Sequence, residues 1–238
     1  MQLFYAPDIQ ENPFLSEEES AHCVRVLRKT EGDLITLTDG KGCFYRGRIA
    51  AAHPKHCAIE LVETLPQTPP PARIYAAVAP TKNLDRMEWM VEKLTETGID
   101  GIFFLQTRFS ERKVLKTDRM VKIAVSAMKQ SQRATLPVIG ELTAFSEFLR
   151  HGLPEGLKGK YICHCYSEEE AGPRLPLKTL AKSGEDAIVL IGPEGDFSLD
   201  EVKEAQAAGF QAVTLGNMRL RSETAGLVAG LMLQLPNL

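Results

Sequence analysis

Four prolines stand within six residues, Pro66-Gln67-Thr68-Pro69-Pro70-Pro71. Each locks its φ angle and lacks a backbone N–H, so the stretch cannot lie inside a helix or a central strand. It is expected to be an extended, stiff connector. A chain of 238 residues cut there yields two candidate domains, 1–70 and 71–238, each needing a core of its own.

The two sides differ in pattern. Before the connector, LFYA, DLITLTD, CFYRGRIAA and HCAIELVE are short runs rich in β-branched and aromatic residues, with Gly40-Lys41-Gly42 between the middle pair. One helix interrupts them: Ser16 and Glu19 suggest a capping box opening EEESAHCVRVLRK. Ala21, Cys23, Val24 and Leu27 supply its buried stripe, and His22, Arg25 and Lys29 share a second face by i, i+3, i+7 spacing. A small β-barrel carrying a basic helix is expected. After the connector, strands and helices alternate. RIYAAVA, IDGIFFLQ, YICHCY, DAIVLIG and QAVTLG read as strands. Helices are expected after Asn83, from Thr117 to Ser131, after the Ser198/Glu201 capping box, and after Ser222 as a final cap. Such alternation predicts an α/β fold with a mostly parallel sheet covered on both faces.

Composition excludes several function classes. No apolar run is long enough to cross a bilayer, and MQLFYAPDIQENPF lacks the basic and apolar blocks of a secretion signal. A cytoplasmic protein without membrane contact is expected. Five cysteines without paired spacing fit a reducing compartment. Cys163-His164-Cys165 has no second Cys/His pair at finger spacing, so no metal is expected. The net charge of −3 is not that of a general polyanion binder, yet Arg108 to Arg133 forms a local basic stripe that can hold phosphates, although charge alone favours a solvated helix face.

Two strands end in glycine-bearing loops that lead into helices: IVLI before Gly192-Pro193-Glu194-Gly195-Asp196, and AVTL before Gly216-Asn217-Met218-Arg219-Leu220-Arg221. Open α/β sheets bind ligands beyond the carboxyl ends of their strands, where glycine lets backbone approach a flat molecule. Neither GxxxxGK[ST] nor GxGxxG occurs, and Glu194 and Asp196 would repel a pyrophosphate. A neutral or cationic ligand suits the pocket, with the polar cluster Arg221-Ser222-Glu223-Thr224 beside it.

IGPEGDFSLDE followed by LGNMRLRSETA resembles the paired C-terminal motifs of RsmE-type methyltransferases. Upstream, HCVRVLRKTEGD, KNLDRMEWMVEKLTETG, TRFSERK and MKQSQRATLP match in order, so the resemblance spans nearly the whole chain. It implies a PUA-like RNA-binding barrel followed by a SPOUT-class domain with a trefoil knot. It implies a homodimer that uses S-adenosylmethionine to methylate N3 of a uridine in small-subunit (16S) ribosomal RNA, free or in the assembled subunit. Carried onto this chain, Gly192, Pro193, Glu194, Gly195, Leu215, Gly216 and Leu220 would line the cofactor pocket, and the loop bearing Cys163 and His164 would form its third wall. Arg221 would stabilise the developing imide anion or clamp substrate. Glu223 would accept a proton or orient Arg221, or else serve as an ion pair and cap at the helix N-terminus. Arg25, Arg28, Lys29, Arg46 and Arg48 in the first domain, and Arg108, Arg112, Lys113 and Arg133 in the second, would hold RNA phosphates.

The chain departs from the family pattern at a glycine position (Asp196), at Pro-Arg-Ile (Asn217-Met218-Arg219) and at a glutamate before Gln130 (Lys129). Without the resemblance, a non-catalytic RNA-binding assembly factor and an α/β enzyme acting on a small nucleotide remain alternatives. The final helix carries Ala225, Leu227, Val228, Leu231, Met232 and Leu235, more apolar surface than one buried face needs.

Overall fold

The computed structural model describes residues 2–238, and its contacts divide them into two compact units. The first comprises the described residues up to Pro69 together with Val125–Leu136; the second comprises Pro70–Ala124 and Pro137–Leu238.

In the first unit, β1 (Leu3–Tyr5), helix α1 (Glu17–Ala21), β2 (Leu34–Thr38), β3 (Cys43–Ala51) and β4 (Ala58–Pro66) follow in order. The strands form one sheet in the order β1-β2-β3-β4, with β1 parallel to β2 and the other pairs antiparallel. Its apolar side buries Phe4, Leu37, Tyr45, Ile49 and Ile59, each removal from water contributing about 1.5–3 kcal/mol. Arg46 and Arg48 alternate with these on the exposed side of β3. Pro66 closes β4 opposite Cys43, so the connector starts one residue later than the proline count suggests. A strand end tolerates a missing donor.

The basic helix differs from its expected form. Ser16 Oγ accepts the N–H of Glu19 at 3.2 Å, which is half of a capping box. The Glu19 carboxylate does not return to the cap; it accepts the N–H of Tyr5 at 3.4 Å and pairs with Lys129 Nζ. Lys129 thus supplies the cation for buried Glu19; a carboxylate at position 129 would leave both acids unpaired. After Ala21 the chain widens into a π-helical turn, His22–Val26, and Arg28 takes φ +54°. A π turn changes the residues per turn. His22, Arg25 and Lys29 therefore do not share one α-helical face, and Lys29 lies beyond the helix.

The second unit contains β5 (Ile74–Val78), α2 (Leu84–Glu96), β6 (Gly101–Gln106), α3 (Asp118–Gln130, whose later half clusters with the first unit), β7 (Val138–Ala144) and the short α4 (Phe145–Glu147). Then come β8 (Gly159–Cys163), α5 (Glu168–Ala171), β9 (Leu175–Pro176), α6 (Leu177–Leu180), β10 (Ala187–Ile191), α7 (Leu199–Ala207), β11 (Gln211–Thr214) and α8 (Ser222–Gln234). Seven strands pair in parallel in the order β7-β6-β5-β10-β8-β11-β9. The central strands β5 and β10 are buried at every residue, as expected for a sheet covered on both faces.

Local signals set the helix starts. Asn83 Oδ1 accepts the N–H of Asp85 at 2.9 Å, and Met87, Met90, Val91 and Leu94 form the buried stripe of α2. Ser198 and Glu201 make a complete reciprocal box before α7. Ser222 is different: it is the first residue of α8, and Arg221 occupies the cap position without a side-chain capping bond. Among the described residues no helix is long and apolar enough to cross a membrane.

Candidate active site

The strand order puts the carboxyl ends of β10, β8 and β11 side by side. The loops leaving them enclose a cleft of about 420 Å³, within the roughly 300–1,000 Å³ typical of small-molecule sites. Ile191, Val213, Leu215 and Leu220 give it apolar walls, and α8 closes it with Arg221, Ser222 and Glu223.

The expected cofactor residues Gly192, Pro193, Glu194, Leu215, Gly216, Leu220, Cys163 and His164 all line this cleft, as do Arg221 and Glu223. Gly195 does not; a Cβ placed on it would lie 3.2 Å from Cβ of Phe109, so it backs onto a neighbouring loop. Gly192 is the tight point. A Cβ there would meet the backbone N of Phe197 at 2.9 Å and the backbone C of Asp196 at 3.1 Å.

Sequence reasoning missed Arg86, Cys165 and Arg174, which also line the cleft. Met218 and Arg219, which stand out in the sequence only as departures from a motif, line it too, as does Asp196, whose charge argues against a pyrophosphate there. Arg86 arrives from α2, and its Nε lies 3.8 Å from Glu223 Oε1. Arg174 reaches back from the segment before β9 to donate to the carbonyl of His164 at 2.7 Å. No local pattern marks either residue, because each acts across the fold.

Three buried side-chain atoms at the cleft have no hydrogen-bond partner: Nδ1 and Nε2 of His164, and Oε2 of Glu223. Unpaired buried polar atoms cost roughly 1–3 kcal/mol each, which a ligand carrying both donors and acceptors would offset. The surroundings set protonation. Burial pushes the His164 imidazole below its ordinary value, and Arg174 adds to this while Asp196 opposes it. Burial, then the Asp196 charge, push the Cys163 and Cys165 thiols up, so they are not thiolate nucleophiles. A depressed folded-state pKa for His164 means that the unfolded chain binds its proton first. Stability is therefore expected to be complete above about pH 6.5 and to fall as the pH drops below it. Urea unfolding at pH 7.5 and 5.5 checks this: the His164→Asn variant should show a smaller loss than the parent, and an equal loss would refute it.

Residues 68–234 match the model of the RNA methyltransferase domain, and residues 15–62 match that of the RNA methyltransferase PUA domain. A relative from Synechocystis sp., ribosomal RNA small subunit methyltransferase E, is 30% identical over 236 residues, covering 95% of this chain and 75% of that protein. The chain belongs to the ribosomal RNA small subunit methyltransferase E family. A probable rRNA-methyltransferase from Porphyromonas gingivalis is similar in structure, with TM-score 0.91, 42% identity, and coverage of 100% of this chain and 98% of that one. The family's enzyme from Neisseria gonorrhoeae, solved bound to S-adenosyl methionine, has TM-score 0.82 and 29% identity, with 99% and 97% coverage.

The residues expected to hold RNA fall in both units. Arg25, Arg28 and Lys29 lie at the end of the π turn or just beyond it, and Arg46 pairs with Glu63 at 3.4 Å. Arg133 clusters with the first unit, not with the second where the sequence reading put it, because Val125–Leu136 pairs there: Gly42 N donates to Ala134 O at 3.0 Å. In the second unit Arg108 sits over the Phe109 ring, and Lys113 is exposed. Arg112 donates to the carbonyls of Thr81 and Lys82, at 3.4 and 2.6 Å, so it ties two loops together.

Proposed function

We propose that this protein transfers a methyl group from S-adenosylmethionine to N3 of a uridine in small-subunit (16S) ribosomal RNA. The observation that carries the reading is the three-walled cleft, which gathers all the expected cofactor residues except Gly195 around Arg221 and Glu223. The residues suit such a cofactor: apolar walls for a flat base, a glycine that holds the loop close, and unpaired His164 and Glu223 atoms for polar groups. When bound, the cofactor supplies an electrophilic methyl on a sulfonium.

The protein's part is positioning, charge stabilisation and proton acceptance. The uridine must leave its stack so that N3 can approach the cleft in line. As the N3–H proton leaves, negative charge develops on the imide, and the Arg221 guanidinium at the head of α8 is the donor for it. Glu223 is the proton acceptor through Oε2, its buried oxygen without a partner. Arg86, 3.8 Å from the other oxygen, holds that side chain in place. The residues of 1–70 act as an RNA-binding barrel and those of 71–238 as the methyltransferase domain.

Arg25, Arg28, Lys29, Arg46 and Arg48 hold phosphates from the first unit, with Arg108, Arg112, Lys113 and Arg133 as further contacts. Reversing Arg25 and Lys29 to glutamate is expected to weaken RNA binding roughly tenfold or more at moderate salt, with a shallower salt dependence. Cofactor affinity should stay unchanged; an equal loss of both would end this division of labour. The working form is a cytoplasmic homodimer, supported by the half-buried Leu227, Val228 and Leu231 on one side of the last helix and the exposed Leu235 just past its end. A monomer in light scattering at micromolar concentration would refute the dimer.

The test is transfer of a tritiated methyl group to small subunits from a strain lacking this gene, followed by nucleoside analysis. Label in 3-methyluridine supports the reading. Cofactor binding with label in another nucleoside, or in none, refutes it.

A further inference from the structure

Asp196 holds a backbone conformation ordinarily left to glycine, at φ +67°. Its own N–H donates to Pro193 O at 2.9 Å, closing the tight turn that follows β10. Its carboxylate is divided between two walls of the cleft. Oδ1 accepts the N–H of Phe197 at 2.8 Å, next in the chain, and Oδ2 accepts the N–H of Cys165 at 2.7 Å, across to the loop that leaves β8. A residue needed only to cap its own turn would use the first bond and have no use for the second. Both bonds run to a carboxylate, and such bonds are roughly twice as strong as neutral ones.

The wall that Asp196 grips carries His164, whose ring nitrogens are buried without partners. Other ties hold the same segment: Tyr166 Oη donates to Phe197 O at 2.9 Å, and Arg174 donates to His164 O at 2.7 Å. Loss of the Asp196 bond would therefore loosen the wall at Cys165 without releasing it from the fold.

The geometry points to Asp196 as a positioning residue for the cofactor: its carboxylate clamps the backbone at Cys165 to the 192–197 loop and so fixes the separation of two cleft walls. This rests on the methyl donor binding in that cleft. The clamp presents the His164 wall preformed, so binding does not have to order it.

Two variants test it. Asp196→Gly removes both acceptors while relieving the left-handed strain, so a loss cannot be assigned to backbone cost. Asp196→Asn tolerates the same φ but keeps one acceptor oxygen, and its NH2 would face a second donor. Hydrogen exchange at the Cys165 amide should accelerate in the glycine variant. Calorimetry should show S-adenosylmethionine bound about tenfold more weakly by the glycine variant and roughly threefold by the asparagine variant. The KM for the cofactor should rise in step, while kcat at saturating cofactor stays within about twofold, as for lost ground-state binding. RNA affinity should not move. Unchanged exchange at Cys165, or cofactor affinity within about twofold of the parent, would overturn the assignment. So would a fall in kcat as large as the rise in KM. A parent protein that binds no S-adenosylmethionine would overturn the functional reading along with it; normal parent binding beside an unaffected glycine variant overturns the clamp alone.

Discussion

Replacing Arg221 with alanine is expected to lower kcat by about 100- to 1,000-fold, the usual loss when one donor to a developing anion is removed. The side chain leaves the chain at the cap position of α8 and lines the cleft beside Glu223. It makes no side-chain capping bond there, so its removal does not unpick the helix start. Cofactor affinity should change little, because the apolar walls and the 192–197 loop remain. Arg221→Lys should recover only part of the rate, since an ammonium keeps the charge but not the planar fork. Single-turnover methyl transfer and calorimetry on the same preparations measure both quantities. If cofactor affinity falls as far as the rate, Arg221 is a cofactor ligand and the anion must be stabilised elsewhere.

The second large effect is expected at Gly192. An alanine there would place its methyl 2.9 Å from the backbone N of Phe197 and 3.1 Å from the backbone C of Asp196. Backbone cannot rotate aside as a side-chain tip can, and the Phe197 ring is fully buried in the core. The loop must open instead. Overpacking of this kind costs about 1–3 kcal/mol, so a 10- to 100-fold weaker Kd for S-adenosylmethionine is expected, at roughly 1.4 kcal/mol per decade. Gly195→Ala is the control: it lies outside the cleft and presses on Phe109 Cβ at 3.2 Å, so its effect on Kd should be smaller. If the two variants bind the cofactor equally well, the close approach at Gly192 has no part in the site.

The glycine loops were visible in the sequence because each follows a short apolar strand and precedes a helix. The reciprocal box at Ser198 and Glu201 and the Asn83 cap are equally local, and both form as expected. Where a tertiary partner competes, the local signal fails. Glu19 leaves its capping box for Tyr5 N–H and Lys129, because a buried carboxylate gains more from a cation than from a helix end. The seven-residue spacing of His22, Arg25 and Lys29 assumed 3.6 residues per turn, and the π turn breaks that period.

By itself the sequence determined a proline break, a strand-rich first part, an alternating second part and two glycine loops at strand ends. Ordered motifs added the family, a resemblance that no periodicity could supply. Only the tertiary structure decided which strands are neighbours, and hence that the loops after β10, β8 and β11 meet in one cleft. It brought Arg86 to Glu223, Arg174 to His164 and Asp196 to Cys165. It also paired Val125–Leu136 with the first unit, across a connector that appeared to divide the chain. The physical reason is range. Capping, chain stiffness and turn geometry act over a few residues and leave their mark in adjacent letters. Ion pairs and shared cleft walls depend on sheet order, which many residues set together and no short stretch records.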